Sequence, residues 1–178
     1  KKITAQAVGA FGEKAVEAEL LRHGWIPANV NATIKNAARF DIFALKGNRT
    51  IHVRVKTCGP NIVGFQFGGF PPNSAVPTSG ISKSDFTILV RMGNRREDDQ
   101  FYVVPTTVVR KEIAARQSDR IKVPKRDGRP RKDTGHWSLY LRERKDGQKE
   151  GGRGIAKKWE KYFGGWSLLD GQRKNKAT

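Results

Sequence analysis

The segment from Arg39 to Thr57 constrains this chain more than any other. Two apolar runs, Arg39 to Lys46 and Thr50 to Thr57, flank Gly47-Asn48. Such a pair between β-rich segments accepts the left-handed backbone of a tight hairpin turn. With Gly47-Asn48 in the loop, Lys46 faces Arg49, and counting back in antiparallel register sets Asp41 opposite Arg54. Strand side chains alternate, so Ile51, Val53 and Val55 form one apolar face that must point into a core. His52, Arg54 and Lys56 line the other face, and Asp41, Arg54 and Lys56 converge on one polar spot.

The flanking sequence supplies the layers for such a hairpin. A helix is expected over Ala7 to His23, stopped by Gly24, with an extended piece over Ile26 to Val30. Further strands are expected at Val63 to Phe67, Phe86 to Arg91, Phe101 to Val104 and, briefly, His136 to Leu141. Gly68 to Gly80, with three prolines, reads as a loop whose Phe70 covers the core. Pro105 opens a second helix over Thr106 to Gln117. Ser118 to Gly135 and Arg142 to Gly154 read as basic loops, followed by a closing helix near Ile155 to Phe163 and an apolar Trp166-Ser167-Leu168-Leu169 that docks. The expectation is one mixed α/β domain over residues 1–178, with basic loops near 118–135 and 142–154.

Charge narrows the class of partner. The chain of 178 residues carries 35 Lys and Arg against 17 Asp and Glu, a formal net charge of +18, which calls for a polyanion. Four Trp and nine Phe provide for a core that a disordered basic tail lacks. No apolar run approaches the ~18 residues that span a bilayer, and Lys1 to Ala10 is too weakly apolar for a signal peptide, so a cytoplasmic protein without a membrane partner is expected. Cys58 has no second cysteine for a disulfide, and three scattered histidines do not complete a structural zinc site. Positive charge spread over a domain, with neither a basic amphipathic helix nor a lipidation motif, favours nucleic acid over a membrane surface.

The first helix adds a carboxylate. Glu13, Glu17, Leu20 and Leu21 fall at i, i+4, i+7 and i+8, one helical stripe, so Glu13 shares a face with residues expected to be buried. A buried carboxylate needs a cation or a metal beside it. The bland alternatives stand alongside. Ile-His-Val-Arg-Val-Lys also describes a half-exposed basic strand, with Asp41 and Arg54 in a cross-strand ion pair worth under ~1 kcal/mol. Glu13 could equally carry its head into solvent.

Gly12-Glu13 with Val16 and Leu20-Leu21, then Gly24, Phe40-Asp41-Ile42 and Val53-Arg54-Val55-Lys56-Thr57 together resemble the PD-(D/E)XK nuclease superfamily, in its branch of small stand-alone prokaryotic members. Phe101-Tyr102-Val103-Val104-Pro105 and the terminal Trp166-Ser167-Leu168-Leu169 resemble the same branch, so the likeness spans most of the chain. The resemblance implies a restriction-endonuclease-like core, a central mixed sheet flanked by helices, and Mg²⁺-dependent hydrolysis of DNA phosphodiesters, with Mn²⁺ as a substitute. It implies Glu13, Asp41 and the Val55 carbonyl as metal ligands, and Lys56 as the group that positions water and stabilises the charged transition state. Many such nucleases act as homodimers, and a homodimer is expected here on that ground alone.

One position departs from the pattern. Arg54 stands where the family has Glu or Gln, so one metal ligand is replaced by a cation. Two unit charges at ~4 Å and an effective dielectric of ~20 interact by roughly 4 kcal/mol, and a dication doubles the repulsion. Either Arg54 turns outward to a DNA phosphate, or it neutralises Asp41 and leaves a non-catalytic nucleic-acid-binding module. His52, on the same face, is a candidate substitute ligand. Lys125, Arg126, Arg129, Arg131 and Lys132 suit phosphate contacts, and Phe65, Phe67 and Phe70 are candidates either for stacking on bases or for the core.

Overall fold

The computed structural model describes residues 3–30, 40–60, 64–70, 75–141, 155 and 157–171. The basic loop expected at 142–154 lies outside the described residues, as do Arg39 and Val63. Helix α1 (Ala5–Arg22) begins where the Thr4 hydroxyl accepts the Ala7 N–H at 3.2 Å, and ends at Gly24, whose φ of +77° reverses the chain. The strands are β1 (Ile26–Asn29), β2 (Ile42–Lys46), β3 (Arg49–Cys58), β4 (Gly64–Phe67), β5 (Asp85–Arg91), β6 (Gln100–Pro105) and β7 (Trp137–Tyr140), with helix α2 (Thr106–Lys122) after β6.

Five strands form the central sheet in the order β1-β2-β3-β5-β6. Only β3 and β5 run parallel, and the crossover between them contains β4, which leaves to pair with β7 in a second, two-stranded sheet. The alternation of β3 sorts the molecule into layers. Ile51, Val53 and Val55 join Val16 and Leu20 of α1 and Ile88 of β5 in one core. The opposite side of β5 and β6 packs Leu89 and Val104 against Val109 and Ile113 of α2 and against the aromatic residues of β4 and β7. No helix of the described residues is long and apolar enough to cross a membrane.

Three expectations are corrected. The buried row of α1 is Gly12, Val16 and Leu20, with Leu21 exposed, because Gly12 lets the helix lie directly on β3. A Cβ at Gly12 would sit 1.7 Å from the Thr57 Oγ1, so the face without a side chain is the one turned to the sheet. Helix α2 runs on to Lys122, since Asp119, Arg120 and Lys122 are tolerated on its solvent side and the next break is Pro124; the basic loop therefore begins at Val123. Near the expected closing helix, the described residues make a turn and a 3-10 helix (Glu160–Tyr162). Trp159 and Tyr162 both reach the core from there, a three-residue spacing that suits the tighter winding. Trp166 and Leu169 dock as expected, in a 3-10 helix (Trp166–Asp170).

Candidate active site

The hairpin register holds as counted, from Lys46 opposite Arg49 to Ile42 opposite Val53. One residue beyond the start of β2, Asp41 continues the ladder with its N–H on the Val53 carbonyl at 2.9 Å. Its carboxylate then takes the place of the next rung, Oδ2 accepting the Val55 N–H at 2.7 Å. A charge-assisted bond of this kind is among the stronger ones a carboxylate makes and fixes its position. The N–H and C=O of one strand residue point to the same edge, so the Val55 carbonyl is directed to the side where Asp41 lies.

Glu13 reaches this edge from α1 by way of Asn29, at the end of β1. The Asn29 amide donates to Glu13 Oε2 at 3.1 Å and to Glu17 Oε1 at 2.8 Å, while the next residue, Val30, donates its N–H to the Asp41 carbonyl at 2.9 Å. Asn29 was not anticipated, because a four-residue edge strand gives too little periodicity to assign a face. The contact of Gly12 with Thr57 brings the residue before Glu13 onto the residue after Lys56.

Lys56 lies half-buried on the β3 face away from α1, its ammonium 5.9 Å from the centroid of the Phe67 ring. Burial and the neighbouring Arg54 charge lower its pKa below the ordinary lysine value, and Asp41 opposes them. Asp41, Arg54, Val55 and Lys56 thus sit within one electrostatic neighbourhood, with Glu13 joined to it through Asn29. His52 points its Nδ1 to Asp85 Oδ1 at 2.8 Å, and its ring centroid lies 4.6 Å from that of Phe40 and 4.9 Å from that of Phe43.

Among the described residues, no group of three or more His, Cys, Asp or Glu is placed to hold a metal. The two carboxylates and the Val55 carbonyl nevertheless offer the hard oxygens that Mg²⁺ takes, an ion that is often held by one or two carboxylates and keeps several waters.

The basic loop stands apart from this centre, beyond the C-terminal end of α2. Asp133 anchors it, accepting the Gln117 amide at 2.5 Å and the Gly135 N–H at 2.8 Å. Lys125, Arg126 and Lys132 are exposed there. Arg129 is turned onto Asp127, which holds that carboxyl below its ordinary pKa, and Arg131 Nε donates to the Val123 carbonyl at 3.0 Å. Phe65, Phe67 and Phe70 are buried in the core, which removes them as stacking platforms.

The architecture is a mixed α/β fold, a five-stranded sheet with a helix packed on each face. The solved structure of a bacterial homing endonuclease, I-Ssp6803I, resembles the chain over 99% of its length and 100% of the other's, with a TM-score of 0.53 at 14% identity. MepB is similar over 78% of this chain and 83% of that one, at a TM-score of 0.33 and 12% identity. No protein-family model and no curated sequence matches the chain.

Proposed function

We infer that the protein is a metal-dependent DNA endonuclease of the PD-(D/E)XK type, hydrolysing phosphodiesters at the end of the β2–β3 hairpin. The observation that carries this reading is the seating of the Asp41 carboxylate on the Val55 N–H, one residue from half-buried Lys56. Glu13, Asp41 and the Val55 carbonyl would hold Mg²⁺ or Mn²⁺, which supplies Lewis acidity toward the scissile phosphate. Asp41 is kept in place by the β3 backbone, and Asn29 presents Glu13. Lys56, partly desolvated, offers a compact positive charge to the oxygen that gains charge in the transition state, and its lowered pKa eases proton exchange with the attacking water. The exposed cations of the basic loop hold the duplex by its phosphates. Cutting both strands with one such centre per chain calls for a homodimer, to be tested by sedimentation with and without DNA.

Arg54 favours a second reading, a binding module without cleavage, because its charge acts on Lys56 from the position of a metal ligand. The test is cleavage of supercoiled plasmid and branched DNA with Mg²⁺ or Mn²⁺ against EDTA. Metal-dependent cutting that falls by about 10³ or more in Asp41→Ala and Lys56→Ala supports the nuclease. Salt-dependent binding without cutting, with cutting gained in Arg54→Gln, supports the binding module and overturns the nuclease.

A further inference from the structure

On the side of β3 away from α1, a cavity opens between Arg54, Asp85, Thr87, Phe70 and two residues of the first turns of α2, Thr106 and Arg110. None of the α2 residues belongs to the hydrolytic centre described above. The Arg110 guanidinium carbon lies 4.7 Å from the Phe70 ring centroid, a cation–π contact that holds the head group against this wall. The Thr87 and Thr106 hydroxyls are 3.0 Å apart, so one proton is shared between them and the pair has a second to donate. Pro105, at the helix cap, gives no side-chain acceptor to the first-turn amides of this 17-residue helix, whose dipole adds positive potential. Among the described residues the wall carries one carboxylate, Asp85, which is 3% exposed and accepts the Ser82 N–H at 2.9 Å, with His52 Nδ1 at 2.8 Å. Two cations from separate elements, Arg54 of β3 and Arg110 of α2, therefore line one cavity.

We propose that this cavity seats a phosphate, with Arg54 and Arg110 as its cationic walls and the Thr87–Thr106 pair as hydroxyl donor. Planar N–H forks and hydroxyls match the several acceptor oxygens of a tetrahedral phosphate. Resting on the nuclease reading, the phosphate is one of the DNA backbone: Arg54 and Lys56 are two residues apart on one strand face, ~7 Å, the rise of about two nucleotides. The seat then fixes which phosphodiester reaches Lys56, and it gives Arg54 a role in place of the lost metal ligand. A free phosphate or mononucleotide presents the same chemistry from another source.

Fluorescence anisotropy of a labelled duplex, in EDTA so that no cleavage is needed, separates the cases for the intact chain, Arg110→Gln and Thr106→Val. Arg110→Gln should bind about tenfold more weakly and flatten the slope of log affinity against log salt by about 0.9, one phosphate contact. Thr106→Val should bind a few-fold more weakly at an unchanged slope, since a neutral donor is lost. Both variants matching the unaltered protein in affinity and slope, with unchanged melting, would overturn the seat. If inorganic phosphate raises the melting temperature of the unaltered protein but not of Arg110→Gln, while DNA affinity is the same in both, the seat stands and its ligand is the free anion. Weakened binding by Arg110→Gln in a protein that never cuts keeps the seat and sinks the nuclease reading. Cutting with Arg110→Gln and Thr106→Val both neutral in binding does the reverse.

Discussion

The two faces of the central sheet are built to different ends. On the α1 side, Val16, Leu20, Ile42, Ala44, Ile51 and Val53 are sealed from solvent and the helix backbone lies almost on β3. On the other side, α2 and the small second sheet cover β5 and β6 but leave the outer strands bare, with Phe43 37%, Leu45 49% and Ile26 68% exposed. His52, Arg54 and Lys56 occupy the border between covered and bare. That border is where a cation is desolvated enough to shift its pKa yet still open to a ligand. A single alternating strand thus holds the fold with its odd residues and presents His52, Arg54 and Lys56 with its even ones.

The sharpest way to break this contrast is to shorten two residues of the same strand, β2. Ile42→Ala should cost about 2 to 5 kcal/mol, because it leaves a cavity in the closed core. Leu45→Ala, on the bare face, should cost within about 0.5 kcal/mol. Urea melts of both decide it, and equal losses would mean that the bare face is covered in solution. Gly12→Ala comes next, at up to about 3 kcal/mol. The added methyl meets Thr57 Oγ1 at 1.7 Å and its Cβ and Cγ2 within 3 Å, so no rotamer of Thr57 clears it and α1 must lift. Thr57→Ala in the same chain should recover much of that loss. Additive costs in the double variant would show that the contact is looser than described.

The contrast between the faces was legible in the alternation of β3, and Gly47-Asn48 fixed the hairpin register that places Asp41 beside Arg54 and Lys56. The helix face was not, because Gly12 contributes no hydrophobic signal and yet marks the closest approach of α1 to the sheet. Reading Leu21 as inward followed apolar content, whereas the packing followed the absence of a side chain. The end of α2 was missed for a related reason, since polar residues on the solvent side of a helix resemble a loop until a proline arrives. Asn29, Asp85 and Arg110 are partners through space and not along the chain. Each is an ordinary polar residue in sequence, and only the fold brings them to Glu13, His52 and Phe70.

The finest test of the border compares two residues on the same face of β3. Burial raises the Cys58 thiol from 9.0 to about 11, whereas burial and Arg54 lower Lys56 from 10.5. The folded chain keeps the Cys58 proton longer than the unfolded chain does, so its contribution is present below pH 9.0 and is lost as pH climbs through about 11. For Lys56 the unfolded chain holds the proton more tightly, so stability rises with pH from its lowered value toward 10.5. The two slopes oppose, each limited to about 1.4 kcal/mol per pH unit, and the unaltered protein should show a flatter alkaline profile than either single variant. Urea melts across that range should fall more steeply in Lys56→Met, which retains only the thiol, and rise relative to the unaltered protein in Cys58→Ala. At neutral pH Lys56→Met should also be the more stable protein, since a partly desolvated charge is gone, and on the proposed nuclease reading it should not cleave DNA. Identical slopes for Lys56→Met and the unaltered protein would place Lys56 in open solvent.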